Sequence, residues 1–349
     1  MTNHRLAYSS LLSICFATCA CLVACADEAP TDPIDPPHEV PIDPSGHFAA
    51  TSSFALAAPP AVAADVLAEL IAATDGPDDP SRYLIDLVIA KLPEGPTRTY
   101  AAALAPYVAA YLNQRIATVA PHFVDGARAL SVGLARIAQR FGTTETFDLV
   151  ADAAFDGAAS AIPSDGRVGS LRRTIIGFRF DLHAGRDVAD VRFAPLGLAD
   201  LSAKTRMTID GNTLTFDRHS VALPYTKLLR LGFDFAVVPD VVPGAHDLAQ
   251  ALDELVDCTA LGAAVSEWME LGSPTFYATA CNLGLSALAT RIYDRIDAID
   301  PSSLPLAVGG TAWAVDETGD GPMDAITLGA WTGSFAGIAV TSSFQGSRP

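Results

Sequence analysis

The stretch KTRMTIDGNTLTF, residues 204–216, decides the fold that the sequence predicts. Apolar and polar residues alternate on both sides of Asp210-Gly211, and this dipeptide between two alternating segments is a strong signal for a β-hairpin. The same period of two recurs from Thr174 to Leu182 and from Val188 to Phe193. The middle of the chain therefore predicts a series of antiparallel strands.

Helices and further strands are expected on both sides of this region. The patterns predict a strand at 47–56, helices at 60–141, strands at 145–222, helices at 224–299 and three strands at 304–345. Pro121 should interrupt the long helical pattern that runs from Thr99 to Phe141. In the last helical region the expected helices are 224–238, 246–269 and 274–299. These patterns together favour an α+β fold.

A repeated tetrapeptide suggests how the sheet ends meet. Thr51-Ser52-Ser53-Phe54 recurs as Thr341-Ser342-Ser343-Phe344, in the first and last predicted strands. Pairing of two terminal strands would close the sheet and leave no free edge. We therefore predict a curved antiparallel β-sheet, open or partly closed, packed on long apolar helices. One stripe of these helices (Leu104, Val108, Tyr111, Leu112, Ile116 and Val119) is expected to face the core.

The first 25 residues have the composition of an export signal. The basic start at Arg5 precedes an apolar run of 14 residues from Leu11 to Ala24, shorter than the roughly 20 that span a bilayer as a helix. The stretch Leu22-Val23-Ala24-Cys25 resembles the lipobox of bacterial lipoproteins. This resemblance implies that residues 1–24 are a lipoprotein signal peptide and that Cys25 is lipidated. The alternatives are an ordinary signal peptide cut elsewhere and an N-terminal anchor.

The residues after the lipobox predict an extended tether and a destination. In bacterial lipoproteins an Asp directly after the Cys often retains the protein at the inner membrane. Ala26 takes that place here and Asp27 follows it, so the resemblance favours the outer membrane over the inner membrane. The tether, residues 25–45, has six Pro and six carboxylates and no Lys or Arg between Ala26 and Ser45. Twenty such residues reach roughly 60 Å when extended. Residues 46–349 are then a single globular domain.

Charge and hydropathy limit the classes of partner. The 349 residues carry a formal net charge of −18, yet 50% are hydrophobic and the mean hydropathy is +0.29. A chain this acidic is repelled by nucleic acid and by anionic lipid headgroups, so no nucleic-acid partner is expected. The composition suits a well-buried exported domain with an acidic surface.

Two cysteines of the domain are expected to form a disulfide. Besides Cys25, only Cys258 and Cys281 follow the signal region, and they fall in two consecutive predicted helices. In an exported protein such a leftover pair favours a disulfide that joins a helical hairpin. Two buried free thiols are the alternative.

Motifs for catalysis and cofactor binding are sparse. The chain has no Walker A loop, dinucleotide fingerprint, HExxH, GxSxG or SxxK motif. Asp217-Arg218-His219-Ser220 brings a carboxylate, an imidazole and a hydroxyl together in sequence, but neighbours on a strand point to opposite faces. We therefore assign no catalytic residue and expect no resident cofactor.

One acidic loop has partial metal character. Residues 316–324 place Asp316, Thr318, Asp320 and Asp324 at positions 1, 3, 5 and 9 of an EF-hand-like pattern, with a glycine at position 6. Position 12 is Thr327 instead of Glu, and the flanking segments are typical of strands. The loop is a weak candidate for Ca²⁺, and an acidic hairpin turn is the alternative.

Three functions remain open at this point. The first is a membrane-anchored envelope lipoprotein, non-enzymatic, that binds an apolar or lipid ligand. The second is a structural or protein-interaction lipoprotein of the envelope. The third is an envelope hydrolase that uses His219 or the 316–324 loop. The leading prediction has two partners, the membrane through the lipid anchor and an apolar ligand or an envelope protein.

Overall fold

Eight antiparallel strands close into a barrel in the computed structural model of the chain. The structure describes residues 42–74, 81–82, 85–86, 89, 93–119, 122–151, 167–183, 188–270, 272–299 and 303–349. The lipobox and the tether up to residue 41 lie outside these residues. The strands are β1 (Gly46–Leu56), β2 (Arg140–Ala151), β3 (Arg167–Phe180), β4 (Ala189–Arg192), β5 (Leu201–Asp210), β6 (Thr213–Leu223), β7 (Leu304–Val315), β8 (Ala325–Phe335) and β9 (Ile338–Ser347).

The barrel closes where the first and last strands pair. The order around it is β1-β2-β3-β5-β6-β7-β8-β9, and β4 pairs with β3 outside this ring. The repeated tetrapeptides lie against each other, with Ser52 opposite Phe344 and Phe54 opposite Ser342. The α+β class and the curved antiparallel sheet are therefore confirmed, and the sheet closes completely. The predicted hairpin joins β5 to β6, but its two-residue turn is Gly211-Asn212, because Asp210 still pairs with Thr213. Gly211 has a positive φ of +55°, which glycine adopts easily.

All the helices connect strands at the same end of the barrel. Strands β1, β3, β6 and β8 end there, and β2, β5, β7 and β9 begin there, whereas the turns at 210–213 and 316–324 lie at the other end. We call these two ends of the barrel the helical end and the turn end. The helices whose bounds the described residues define are α1 (Ala61–Thr74), α2 (Pro96–Val119), α3 (Phe123–Gln139), α4 (Tyr225–Gly232), α5 (Val238–Val241), α6 (Leu248–Leu255), α7 (Cys258–Met269) and α8 (Pro274–Asp297).

Three helix boundaries differ from the sequence prediction. The helix expected at 246–269 is two helices, because Asp257 caps a new one by accepting hydrogen bonds from the backbone N–H groups of Thr259 and Ala260. The segment expected as a helix at 224–238 contains a π-helical turn, Phe233–Val237, and continues to Val241. Helix α3 ends at Gln139, and Phe141 is an inward side chain of β2 that stacks on Phe54.

Helix α3 packs the helical region against the barrel. Its buried face includes Leu134 and Ile137, whereas Val132 on its other face is exposed. The hydroxyl of Tyr225, at the start of α4, donates to the carbonyl oxygen of Ala138 at 2.9 Å, and its ring packs near Phe335 of β8. Apolar packing is thus continuous from the helical end into the barrel.

A disulfide joins α7 to α8, as the sequence predicts. Cys258 and Cys281 are bonded, with their Cα atoms 5.6 Å apart. The two helices approach closely at Gly262, where a Cβ atom would lie 2.5 Å from the carbonyl oxygen of Pro274. A disulfide and a glycine contact therefore hold this helical hairpin.

Removing the disulfide is expected to destabilise the protein. The double variant Cys258→Ala/Cys281→Ala should lose about 3.5 kcal/mol of unfolding free energy, because the bond closes a loop with a sequence separation of 23. Urea unfolding of the oxidised protein and of the variant measures the difference. A thiol assay on the urea-unfolded domain from Val40 to Pro349 is the control. Two titratable thiols in it would contradict the disulfide.

Candidate functional site

The first candidate site is a buried ion pair inside the barrel. Strands β2 and β3 are neighbours, and both Glu145 and Arg173 point inward. Arg173 donates from Nε to Oε2 and from Nη2 to Oε1 of Glu145, both at 2.6 Å, and neither side chain is exposed to solvent. Thr143 also donates to Oε1 of Glu145. The carboxylate is thus held by three donors, as a buried charge requires.

Aromatic rings pack around the guanidinium group of Arg173. Its Cζ atom lies 4.8 Å from the ring centroid of Trp331 and 5.6 Å from that of Phe54, within the range of cation–π attraction. Trp331 donates from Nε1 to Oγ of Ser52 at 3.2 Å and stacks on Phe344 with a centroid distance of 4.2 Å. Side chains from five strands therefore meet at Arg173 and Trp331.

His219 completes this group, which we call the core cluster (Glu145, Arg173, His219 and Trp331). A register irregularity between Phe216 and His219 in β6 turns the imidazole inward. Its Nε2 lies 3.5 Å from Nη1 of Arg173, and its Nδ1 lies 3.1 Å from the carbonyl oxygen of Asp217. Because Arg173 only donates, Nε2 accepts and Nδ1 carries the proton. Burial, and then the charge of Arg173, lowers the pKa of His219, so the imidazole is neutral.

The core cluster is built for packing and not for nucleophilic chemistry. His219 contacts the backbone carbonyl oxygen of Asp217 and not its carboxylate, and Ser220 is exposed on the other side of β6. The adjacent acid, base and hydroxyl of residues 217–220 are therefore separated by the alternation of the strand. Glu145 and Arg173, which the sequence analysis does not single out, hold the centre of the cluster.

The acidic loop at the turn end is organised by its own backbone. Asp316 accepts hydrogen bonds from the N–H groups of Gly319 and Gly321 at 2.6 and 2.7 Å, and Asp324 accepts one from Glu317 at 2.9 Å. The hydroxyl of Thr318 lies within hydrogen-bond distance of the carboxylates of Asp316, Asp320 and Asp324. These donors, first the N–H of Gly321, lower the pKa of Asp316. In the part of the chain that the structure describes, no three His, Cys, Asp or Glu side chains are grouped to hold a metal, and Ca²⁺ binding stays a prediction.

The start of the domain is fixed to this loop. The N–H of Asp43 donates to the carbonyl oxygen of Gly321, and the N–H of Met323 donates back to that of Asp43, each at 2.8 Å. Arg167 donates to the carbonyl oxygen of Ile42. Ile42 and Asp43, where the described residues begin, therefore lie at the turn end, opposite the helices.

The second candidate site is on the outer surface of α2 and α8. On α2, Tyr100, Leu104 and Tyr107 follow one another at helical spacing, and Tyr100 and Tyr107 are 69% and 72% exposed. On α8, Phe276 and Leu283 lie on one face and are 64% and 67% exposed. We call these five residues the helical stripes. The expectation that Leu104 faces the core is therefore wrong, because residues 100–112 of α2 are apolar on all sides and the helix buries the small residues Ala105 and Ala109 instead.

The segments that carry the stripes contain no charged residues. Residues 100–114 of α2, 258–266 of α7 and 274–290 of α8 have no Asp, Glu, Lys or Arg, in a chain whose net charge is −18. Tyr111 of α2 stacks on Trp268 of α7 with a centroid distance of 4.1 Å and donates to the carbonyl oxygen of Ala264. Helix α7 packs on α8 through Gly262. The uncharged segments of the three helices thus contact one another and carry large apolar side chains that are exposed to solvent.

Comparison with known proteins does not identify the chain. No protein-family model, curated protein or solved structure gives a significant match. Among the described residues, no helix is both long and apolar enough to cross a bilayer. The function is therefore argued from the geometry of the two sites.

Proposed function

We propose that the protein is a lipid-anchored, non-enzymatic protein of the bacterial cell envelope that binds lipid at the helical stripes. One observation carries the proposal: five large apolar side chains are exposed on segments without charge, in an otherwise acidic protein. Exposed apolar surface of this kind marks contact with a partner or a membrane. Tyr and Phe suit the border between headgroups and acyl chains, because their rings are apolar and Tyr has a polar tip.

The expected lipid anchor would bring the helical stripes close to a membrane. Lipidation of Cys25 would hold the domain at a bilayer, and the lipobox resemblance favours the outer membrane. Because Asp43 is hydrogen-bonded to the barrel, only residues 25–41 of the expected tether would let the domain turn toward that bilayer. Their extended reach of roughly 50 Å exceeds the length of a strand of 12 residues, about 40 Å. Low-affinity contacts at the stripes then act at a high local concentration.

The arrangement of the helices supports a ligand site outside the barrel. The inward positions near its centre carry Phe54, Arg173 and Trp331, which pack against one another. We also propose that the sheet packs on long apolar helices, as the sequence predicts. The helices cover one end of the barrel with their buried faces and offer their outer stripes to lipid.

Vesicle flotation tests the proposal on the domain from Val40 to Pro349, which lacks Cys25. We expect the domain to float with phosphatidylcholine vesicles. The variant Tyr107→Ser/Phe276→Ser/Leu283→Ser should lose at least about tenfold in partitioning, because burial of each such side chain contributes about 1.5–3 kcal/mol when complete. Vesicles rich in anionic lipid should bind less, since they repel the acidic domain.

A matched control removes exposed apolar side chains at the turn end. Trp313 and Leu328 are 45% and 85% exposed there, so Trp313→Ser/Leu328→Ser should float like the unmodified domain. If the unmodified domain stays in the aqueous fraction, the stripes do not bind lipid. An envelope protein is then the better candidate for their partner.

A further inference from the structure

The core cluster contains one group that changes its hydrogen-bonding role when it gains a proton. Neutral His219 accepts at Nε2 from Arg173 and donates at Nδ1 to the carbonyl oxygen of Asp217. Protonated His219 would present an N–H at Nε2 to the N–H of Arg173, two donors 3.5 Å apart. The contact between His219 of β6 and Arg173 of β3 inside the barrel therefore depends on a neutral imidazole.

Among the residues that the structure describes, Glu145 is the one negative group that acts on His219, and it already pairs with Arg173. The groups that face His219 are Arg173 from β3, Glu145 from β2 beyond it, Trp331 from β8 and the paired residue Val308 of β7. Both oxygens of Glu145 are already bound to Arg173, and this pair is neutral as a whole. A proton on His219 would leave one uncompensated charge inside the barrel, which costs several kcal/mol per ion in a buried site.

We propose that His219 is a proton-operated latch of the barrel. In its neutral form it holds Arg173 in place beside Glu145 and Trp331. In its protonated form it loses this contact, the ring moves away from Trp331, and β6 loosens at the irregularity between Phe216 and His219. The latch is independent of the lipid-binding proposal, since it rests on the barrel interior alone.

The direction of the pH dependence follows from the protonation states. Burial and Arg173 lower the pKa of His219 in the folded protein below its ordinary value of 6.5. The unfolded chain therefore binds the proton more readily, and stability rises with pH in this range. The contribution of neutral His219 to the free energy of unfolding is complete above pH 6.5. It is lost as the pH falls from 6.5 toward the folded-state pKa of His219.

Trp331 reports on the latch in the full chain. The chain has three Trp, so the variant Trp268→Phe/Trp313→Phe leaves Trp331 as the sole emitter. Its ring centroid lies 5.4 Å from that of His219 in an edge-to-face contact, so a charge on the imidazole or a movement of its ring changes the surroundings of the indole. We expect a reversible change of emission as the pH is lowered from 8 through the folded-state pKa of His219, with a midpoint below 6.5, and a fall of the urea midpoint over the same range.

Two variants in this background and one direct titration decide the proposal. His219→Gln should abolish the emission step, and His183→Gln, an exposed control, should leave it unchanged. An NMR titration of the His219 ring in the unmodified protein should show protonation below 6.5 together with the emission change. A His219 pKa of 6.5 or higher, or protonation without any change at Trp331, would overturn the latch, as would a step that persists in folded His219→Gln protein.

Discussion

Arg173→Met is expected to lower the free energy of unfolding by about 3–5 kcal/mol, because it leaves Glu145 buried without its partner. Arg173 is fully buried, and its two hydrogen bonds to the carboxylate are both 2.6 Å long. The loss is a large part of a typical net stability of about 5–15 kcal/mol. Urea unfolding at pH 7, monitored by circular dichroism, measures it.

The double variant Arg173→Met/Glu145→Gln is the control for this prediction. It removes the orphaned charge along with its partner and leaves an amide that Thr143 can still bind. We expect it to regain most of the stability that Arg173→Met loses, because a buried ion pair can be replaced by neutral groups at little cost. A loss below about 1 kcal/mol for Arg173→Met, the size of an exposed ion pair, would contradict the buried pair.

Trp331→Ala should lower the free energy of unfolding by a similar amount, about 3–5 kcal/mol, through the cavity that it leaves. Trp331 is fully buried, stacks on Phe344, lies over Arg173 and donates to Ser52. Its removal therefore takes away apolar packing, a cation–π contact and a hydrogen bond at once. The measurement is again the urea midpoint at pH 7.

Trp313→Ala provides the comparison at an exposed site. Trp313 lies on the outer side of β7 and is 45% exposed, so its truncation should change the stability by only about 0.5 kcal/mol. Equal losses for the two Trp variants would mean that Trp331 does not occupy the packed interior.

The curved sheet could be predicted from the sequence, and its interior could not. Alternation marks single strands, and the repeat of Thr51–Phe54 at Thr341–Phe344 marks the two strands that close the barrel. A slip of one residue, however, exchanges the inward and outward faces of a strand. Irregularities at Thr144/Glu145 and at Phe216/His219 shift the pairing register within β2 and β6. Local pattern alone therefore does not show that Glu145, Arg173 and His219 meet.

The helical stripes were missed for a different physical reason. Residues 100–112 of α2 are apolar around the whole circumference of the helix, so their spacing does not distinguish a buried from an exposed face. Its buried side uses Ala105 and Ala109, which let it pack closely, and its large residues Tyr100 and Tyr107 remain in solvent. The absence of charge over residues 100–114 was the available signal.

The emission of Trp268 tests the central claim, lipid binding at the helical assembly, most directly. Trp268 is 43% exposed on α7 and stacks on Tyr111 of α2, whereas Trp313 is exposed to a similar extent at the turn end. We compare Trp313→Phe, which keeps Trp268, with Trp268→Phe, which keeps Trp313, in the domain from Val40 to Pro349. On addition of phosphatidylcholine vesicles, the account predicts a blue shift and protection from iodide quenching in Trp313→Phe and no change in Trp268→Phe. No change in Trp313→Phe, or the same change in both proteins, would contradict it.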